Sequence, residues 1–208
     1  MGTLEKKVKI RQVRAAETRK KIVSAAKKLI TENGFENVSI EDIAKQAEVS
    51  TGSFYTYFKK KEDIIEELNQ SNFYRLAEIT NEMTEKDLDE RLKYYCREFL
   101  GEIERVGIEI CRQWIRNNIA PVRIVISDKE TTKYDHDHLA MRSLIEEGVS
   151  RGELTENVPA DELALFINTQ LYGLMVAWCM SDASVIGSEK TDVFFDTILR
   201  PALLPYKL

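Results

Sequence analysis

Residues that interrupt helices are scarce in this chain. Four prolines and nine glycines among 208 residues separate long periodic segments, so most of the molecule is expected to be helical. The three cysteines, Cys96, Cys111 and Cys179, are an odd number without Cys-x-x-Cys spacing. That argues against a secreted disulfide scaffold and suits reduced thiols in a cytoplasmic protein. Histidine is rarer still, and both copies fall in Asp135-His136-Asp137-His138. Neighbours on a helix point in different directions, and no further His or Cys lies nearby. The run therefore reads as a solvated charged segment or a helix start rather than a metal site, and one histidine could still face a pocket. No metal or cofactor is expected. No Gly-rich phosphate loop, Gly-x-Ser-x-Gly or His-Glu-x-x-His is present, which speaks against an enzyme. No apolar run approaches the roughly 20 residues that span a bilayer, and the basic N-terminus lacks an apolar signal core. No membrane partner is expected.

What the chain does contain is charge, unevenly placed. Residues 1–61 hold fourteen Lys/Arg against seven Asp/Glu, whereas residues 62–208 hold 16 against 28. The net charge of −5 thus hides a basic end joined to an acidic body. Such a polarity suits docking of one end on phosphates while the rest is held away.

Residues 39–61 carry the decisive pattern. Ile40, Ile43, Ala44 and Ala47 recur at helical spacing, with Ser39 placed as N-cap and Asp42 as its capping-box partner. A turn at Glu48-Val49 leads to Ser50, a second cap, and then to Phe54 and Phe58 four residues apart. Thr51, Ser53, Tyr55, Thr56 and Tyr57 mostly lie off the Phe54/Phe58 stripe, and a Lys59–Lys61 run follows. A helix with a small, hydroxylated and aromatic free face suits the major groove of DNA. Gly52 allows close backbone approach, or merely fits a tight helix start.

The residues Gly34-Phe35, Ser39 to Ala44, Ala47, Val49-Ser50, Gly52 to Phe58 and Lys61 to Ile64 resemble the DNA-binding domain of TetR-family transcriptional regulators. Tyr57 stands where many members carry His, and Ser39 where many carry Thr. The resemblance implies an all-α protein. An N-terminal three-helix helix-turn-helix domain (residues 14–61, after a flexible basic arm, 1–13) precedes a larger helical bundle (62–208) that binds an effector and forms a homodimer through its last two helices. It also implies DNA contacts from Ser39, Ser50, Thr51, Gly52, Ser53, Tyr55, Thr56, Tyr57 and Lys61, with Tyr57 and Lys61 as phosphate anchors. The partners so implied are a palindromic double-stranded operator and a small organic effector, and the activity is repression relieved by that effector. A helical adaptor that senses no small molecule, or an enzyme carrying a DNA-binding head, remains the alternative.

Periodicity places further helices at about Ala15–Asn33, Lys61–Glu82, Leu88–Glu104, Ile108–Asn118, Pro159 onward to Trp178, and Thr191–Leu204. Pro121 to Ile126 is rich in β-branched residues, but no comparable second run offers a strand partner. A helix starting near Pro121, interrupted around 127–133 and resumed through Leu139–Arg151, is expected instead. Large residues in the body are mainly core. Those able to line an effector cavity are Tyr95, Phe99, Trp114, Tyr172 and Met175, with Asn117 and Asn168 to orient a ligand. The cysteines read as buried packing, since no basic cluster adjoins them in sequence.

Overall fold

Helix α1 runs from Gly2 to Asn33, so the segment expected to be a flexible arm is helical. No Gly or Pro interrupts it after Gly2, and its Leu, Glu, Lys and Arg are strong helix formers. Ile22, Ala26 and Ile30 on α1 are fully buried, and Gly34 ends the helix at φ +79°. The computed structural model describes the backbone of residues 2–120, 123–126, 129–181 and 187–208. Short helices α2 (Ile40–Gln46) and α3 (Thr51–Tyr57) follow, then α4 (Glu62–Glu82).

Packing divides the chain into a head, Met1–Asn69, and a body, Gln70–Leu208. The first turns of α4 belong to the head because Ile64 and Ile65 are fully buried in it. Arg19 on α1 clamps the same stretch, donating from Nε and Nη2 to the two Glu67 carboxylate oxygens at 2.9 and 2.7 Å.

In the body, α5 (Leu88–Val106) and α6 (Ile108–Asn118) turn at Gly107, whose φ of +93° favours glycine. Residues 123–132 depart from the helical expectation. Strand β1 (Arg123–Ile126) pairs antiparallel with β2 (Lys129–Thr132), Arg123 opposite Thr132 and Ile126 opposite Lys129. The partner is a polar Lys-Glu-Thr-Thr run, held by backbone bonds rather than an apolar face. Helix α7 (Lys133–Ser150) begins at once, with Thr132 as N-cap accepting from the Asp135 amide. Helix α8 (Ala160–Met180) packs against α5, α6 and α7. Contrary to expectation it has the length and mean hydropathy (21 residues, 1.5) of a bilayer-crossing helix, yet eight of its residues, Asn168 among them, are buried in the body.

The last helix is not uniform. Short α9 (Thr191–Phe194) and α10 (Arg200–Leu203) flank a wide π turn at Phe195–Leu199, where the Arg200 amide bonds the Phe195 carbonyl. Pro201 explains it, because a proline ring collides with the carbonyl four residues back and widening the turn relieves the clash.

Arg91 is the most deeply buried charged side chain among the described residues. Arg91 on α5 donates from Nε to the Thr80 carbonyl at 3.1 Å and from Nη2 to Glu147 on α7 at 2.8 Å. It is 0% exposed, and the guanidinium holds the Glu147 carboxyl below its ordinary pKa.

Glu48 is the one non-glycine residue with positive φ, +57°, among the described residues. A Cβ in that region costs roughly 1–2 kcal/mol, part of which glycine returns as unfolded-chain entropy. Glu48→Gly is therefore expected to stabilise the head by about 0.5–1 kcal/mol, and Glu48→Ala to give no such gain. Urea unfolding of the two variants measures the difference.

Candidate functional site

Two short helices form the head's outer face, and their ends are fully capped. Ser39 Oγ accepts from the Asp42 amide and donates to Asp42 Oδ2, while the Ser39 amide donates back to that carboxylate. This holds the Asp42 carboxyl below its usual pKa. Ser50 Oγ accepts from the Ser53 amide at 3.0 Å, and the Phe58 amide closes α3 on the Phe54 carbonyl. With Phe54 at 0% and Phe58 at 3% exposure, the burial of one edge fixes which residues look outward.

Gly52, Tyr55 and Thr56 are exposed, and Thr51, Ser53 and Tyr57 are half-exposed. Tyr55 is 53% exposed, yet its ring meets Phe54 edge-on with centroids 5.6 Å apart, so it is braced while its hydroxyl end stays in water. The Thr56 hydroxyl donates to the Gly52 carbonyl, which leaves its oxygen lone pairs to accept. The Ser39 hydroxyl is already engaged on both sides, whereas Ser50 keeps its proton.

Lys61 has an internal role that sequence did not reveal. Its Nζ donates to the carbonyls of Phe35 and Val38 at 2.6 and 2.7 Å and lies 4.1 Å from the Phe35 ring centroid. Two of its three protons thus tie the α1–α2 loop, and only the third can serve a phosphate. Lys59 and Lys60 are exposed, and their amides cap α4 through Asp63.

The body holds a cleft of about 340 Å³ between α6, α7 and α8, lined by Trp114, Ile115, Asn118, Ile119, Thr132, Lys133, Tyr134, Tyr172, Met175 and Val176. Of the residues expected to face an effector, Trp114, Tyr172 and Met175 line it. Tyr95 and Phe99 do not: both are buried, stacked on each other, with Phe99 edge-on to Tyr172. They back the cleft as core because they lie on the inner face of α5. Asn117 is turned aside and accepts from Gln113, and Asn168 is buried outside the lining with its Nδ2 unpartnered.

The Asp-His-Asp-His run is a helix start, but Asp137 is not solvated. It is 1% exposed, ion-paired to Lys133 one turn earlier and accepting from the Tyr172 hydroxyl at 2.7 Å. His136 lies 3.5 Å from the same carboxylate. Burial opposes ionisation of Asp137, but Lys133, His136 and Tyr172 outweigh it and hold its pKa below the ordinary value. For Lys133 burial wins and lowers its pKa, Asp137 opposing. His138 approaches Asp161 at 3.1 Å. Sequence reasoning missed Lys133, Tyr134 and Asp137; the Lys-Asp spacing of one helical turn was the available signal.

The cysteines are buried, as expected, but two are neighbours. The thiols of Cys111 and Cys179 interact, which lowers the pKa of Cys179 and raises that of Cys111, with Arg112 adding to the effect on Cys179. Arg112 also donates twice to the Cys179 carbonyl. Cys96, wholly enclosed, is pushed up to about 12.

Residues 22–68 match the family described as bacterial regulatory proteins, tetR family. The uncharacterised HTH-type transcriptional regulator YhgD of Bacillus subtilis is 26% identical over 168 residues, 78% of this chain and 84% of that protein. Residues 22–68 thus carry the DNA-binding domain of the TetR family. Other curated regulators match over 44 to 58 residues only, from 19% to 23% of their own length. Among solved structures, a protein described as a TetR-family transcriptional regulator from Syntrophomonas wolfei superposes with TM-score 0.66 at 25% identity, covering 90% of this chain and 95% of that one. The FadR regulator of Bacillus subtilis in complex with stearoyl-CoA shares the fold, with TM-score 0.58 at 21% identity over 89% and 97% of the two chains.

Two outcomes are expected from this geometry. Lys61→Ala lowers head stability by about 1–3 kcal/mol, the cost of two buried carbonyls losing a charged donor, whereas Lys59→Ala and Lys60→Ala leave the unfolding midpoint unchanged. In the body, Asp137→Asn takes the carboxylate away from a buried, charged Lys133 and costs about 3 kcal/mol, less when Lys133→Met accompanies it. Because the folded Asp137 pKa is depressed, its contribution is complete above the free carboxylate value near 3.9 and lost as pH falls through the folded value below it. Urea midpoints recorded against pH for wild type and the double variant check the sign.

Proposed function

We propose that the chain is a sequence-specific DNA-binding transcriptional regulator, a repressor that a small organic effector releases from its operator. The observation that carries this reading is α3: a capped two-turn helix whose buried edge is Phe54 and Phe58 and whose outer face is Thr51, Gly52, Ser53, Tyr55, Thr56 and Tyr57. Placed in a major groove, the hydroxyls of Thr51, Ser53 and Thr56 meet base edges, while Tyr57, Ser50 and the Lys59–Lys61 run meet phosphates. In this reading the head, Met1–Asn69, is the reading domain and the body, Gln70–Leu208, the sensing and dimerising domain.

A single small head binds weakly, and two heads on a two-fold axis reach successive grooves about 34 Å apart. The body offers a surface for such pairing. Leu165, Thr169, Gly173, Val176 and Met180 form one outward stripe on α8, with Leu165 at 49% and Met180 at 82% exposure. Val193, Ile198 and Leu204 are exposed on the last helical segment. A homodimer through these two regions buries them and sets the spacing of the heads. The cleft is the effector site in this reading. An effector releases DNA only by as much as it prefers one head spacing over the other, typically about 1–3 kcal/mol. The FadR structure with stearoyl-CoA supports a helical body of this fold as a container for a small organic molecule. Such a regulator works in the cytoplasm.

Selection of genomic fragments by the purified protein at several salt concentrations tests the proposal. A palindromic consensus is expected; binding that is salt-sensitive but sequence-blind would overturn it. Lys59→Ala and Lys60→Ala should each reduce the salt slope by about one. Met180→Arg or Leu165→Arg is expected to yield a monomer by light scattering and to weaken operator binding on the order of 10²-fold or more, the avidity of a linked second head.

A further inference from the structure

Among the described residues that line the cleft, the charged one, Lys133, is already paired. Lys133 pairs with Asp137, the second Asp137 oxygen accepts from Tyr172, and His136 closes on the same carboxylate. Two further polar linings, Thr132 and Asn118, are likewise engaged. The Thr132 hydroxyl donates to Asp135 and accepts from its amide, and the Asn118 side-chain amide donates to the Trp114 carbonyl. What remains is mostly aromatic and aliphatic surface, with the uncharged Tyr134 hydroxyl and Trp114 indole N–H as its polar points. Trp114 lies nearly parallel to Tyr172, with ring centroids 6.0 Å apart and planes 29° apart, and Tyr134 flanks the same ring at 5.6 Å. Ile115, Ile119, Met175 and Val176 complete the lining.

Building on the cleft as effector site, we infer that its ligand is an uncharged, planar aromatic molecule. A flat ring gains from offset stacking on these aromatic faces. An ionised group would lose its hydration without finding an unpaired counter-charge. A volume of about 340 Å³ lies at the small end of ligand sites, which favours two fused rings over a long acyl chain. The ion pair is thus a filter: it supports the wall while presenting no net charge to the ligand.

The test uses three probes of one shape on the full-length protein near neutral pH: 2-naphthol, 2-naphthoate and 2-naphthylmethylammonium. Binding is read by quenching of tryptophan fluorescence, with Trp114 in the cleft wall. The neutral naphthol is expected to bind at least tenfold tighter than either ion. Asp137→Asn removes the negative charge that neutralises Lys133 and should shift preference toward naphthoate. Lys133→Gln removes the positive charge that neutralises Asp137 and should shift it toward the ammonium. Circular dichroism confirms that each variant is folded, and either one suffices for the reversal. Equal or tighter binding of an ion to wild type would overturn the ligand class while leaving the cleft as an effector site. Absence of quenching by all three would overturn the inference and the role of the cleft together, without touching DNA recognition by the head.

Discussion

A helix of two turns does not persist in water by itself, because nucleation costs more than so few hydrogen bonds return. Helix α3 has seven residues, and everything the head does depends on its being held. Burial of Phe54 and Phe58 supplies that hold, worth roughly 1.5–3 kcal/mol for each ring. The rest of the head is built to keep the site for those two rings closed. Arg19 lies over Phe58, 5.2 Å from its centroid, while the same guanidinium grips Glu67 on α4. Lys61 draws the loop before α2 toward the start of α4. The outward side chains are free to read because none of them is needed for packing.

The body solves a different problem, since it must hold a cavity open without collapsing on it. Aromatic rings do this well, being wide and stiff, and the series from Tyr95 through Phe99 and Tyr172 to Trp114 runs from core to cleft. A buried ion pair beneath them fixes the register of α7 against α8 through the Tyr172 hydroxyl. Such a pair adds little net stability over an apolar substitute. Its physical value here is orientation, because Tyr172 can rotate only by giving up its acceptor.

Sequence revealed the parts of this molecule governed by local rules. The Ser39/Asp42 box, the Ser50 cap and the Phe54/Phe58 spacing follow from neighbours within four residues, and the structure has all of them. Where the decisive partner was distant or unpatterned, sequence reasoning failed. Strand β2 pairs through its backbone, so Lys-Glu-Thr-Thr carried no alternation to betray it. Lys61 looked like a surface cation because its acceptors, two carbonyls more than twenty residues away, leave no mark on composition. Tyr95 and Phe99 were placed in the cavity, one helical face short of it, since nothing local fixes how α5 is rotated. Asp137 looked solvated because its Tyr172 partner lies 35 residues on.

Arg91 has a mechanical consequence. It belongs to α5, bonds the end of α4 at Thr80 and is ion-paired to Glu147 on α7. Enclosed without water to screen it, it behaves as a rivet through three plates rather than a spring between two. Prising α7 away from α5 must therefore either drag the α4 terminus with it or strand a guanidinium in an apolar interior. The first course is far cheaper, so strain introduced along α7 has a built-in route to the α4 terminus at Thr80.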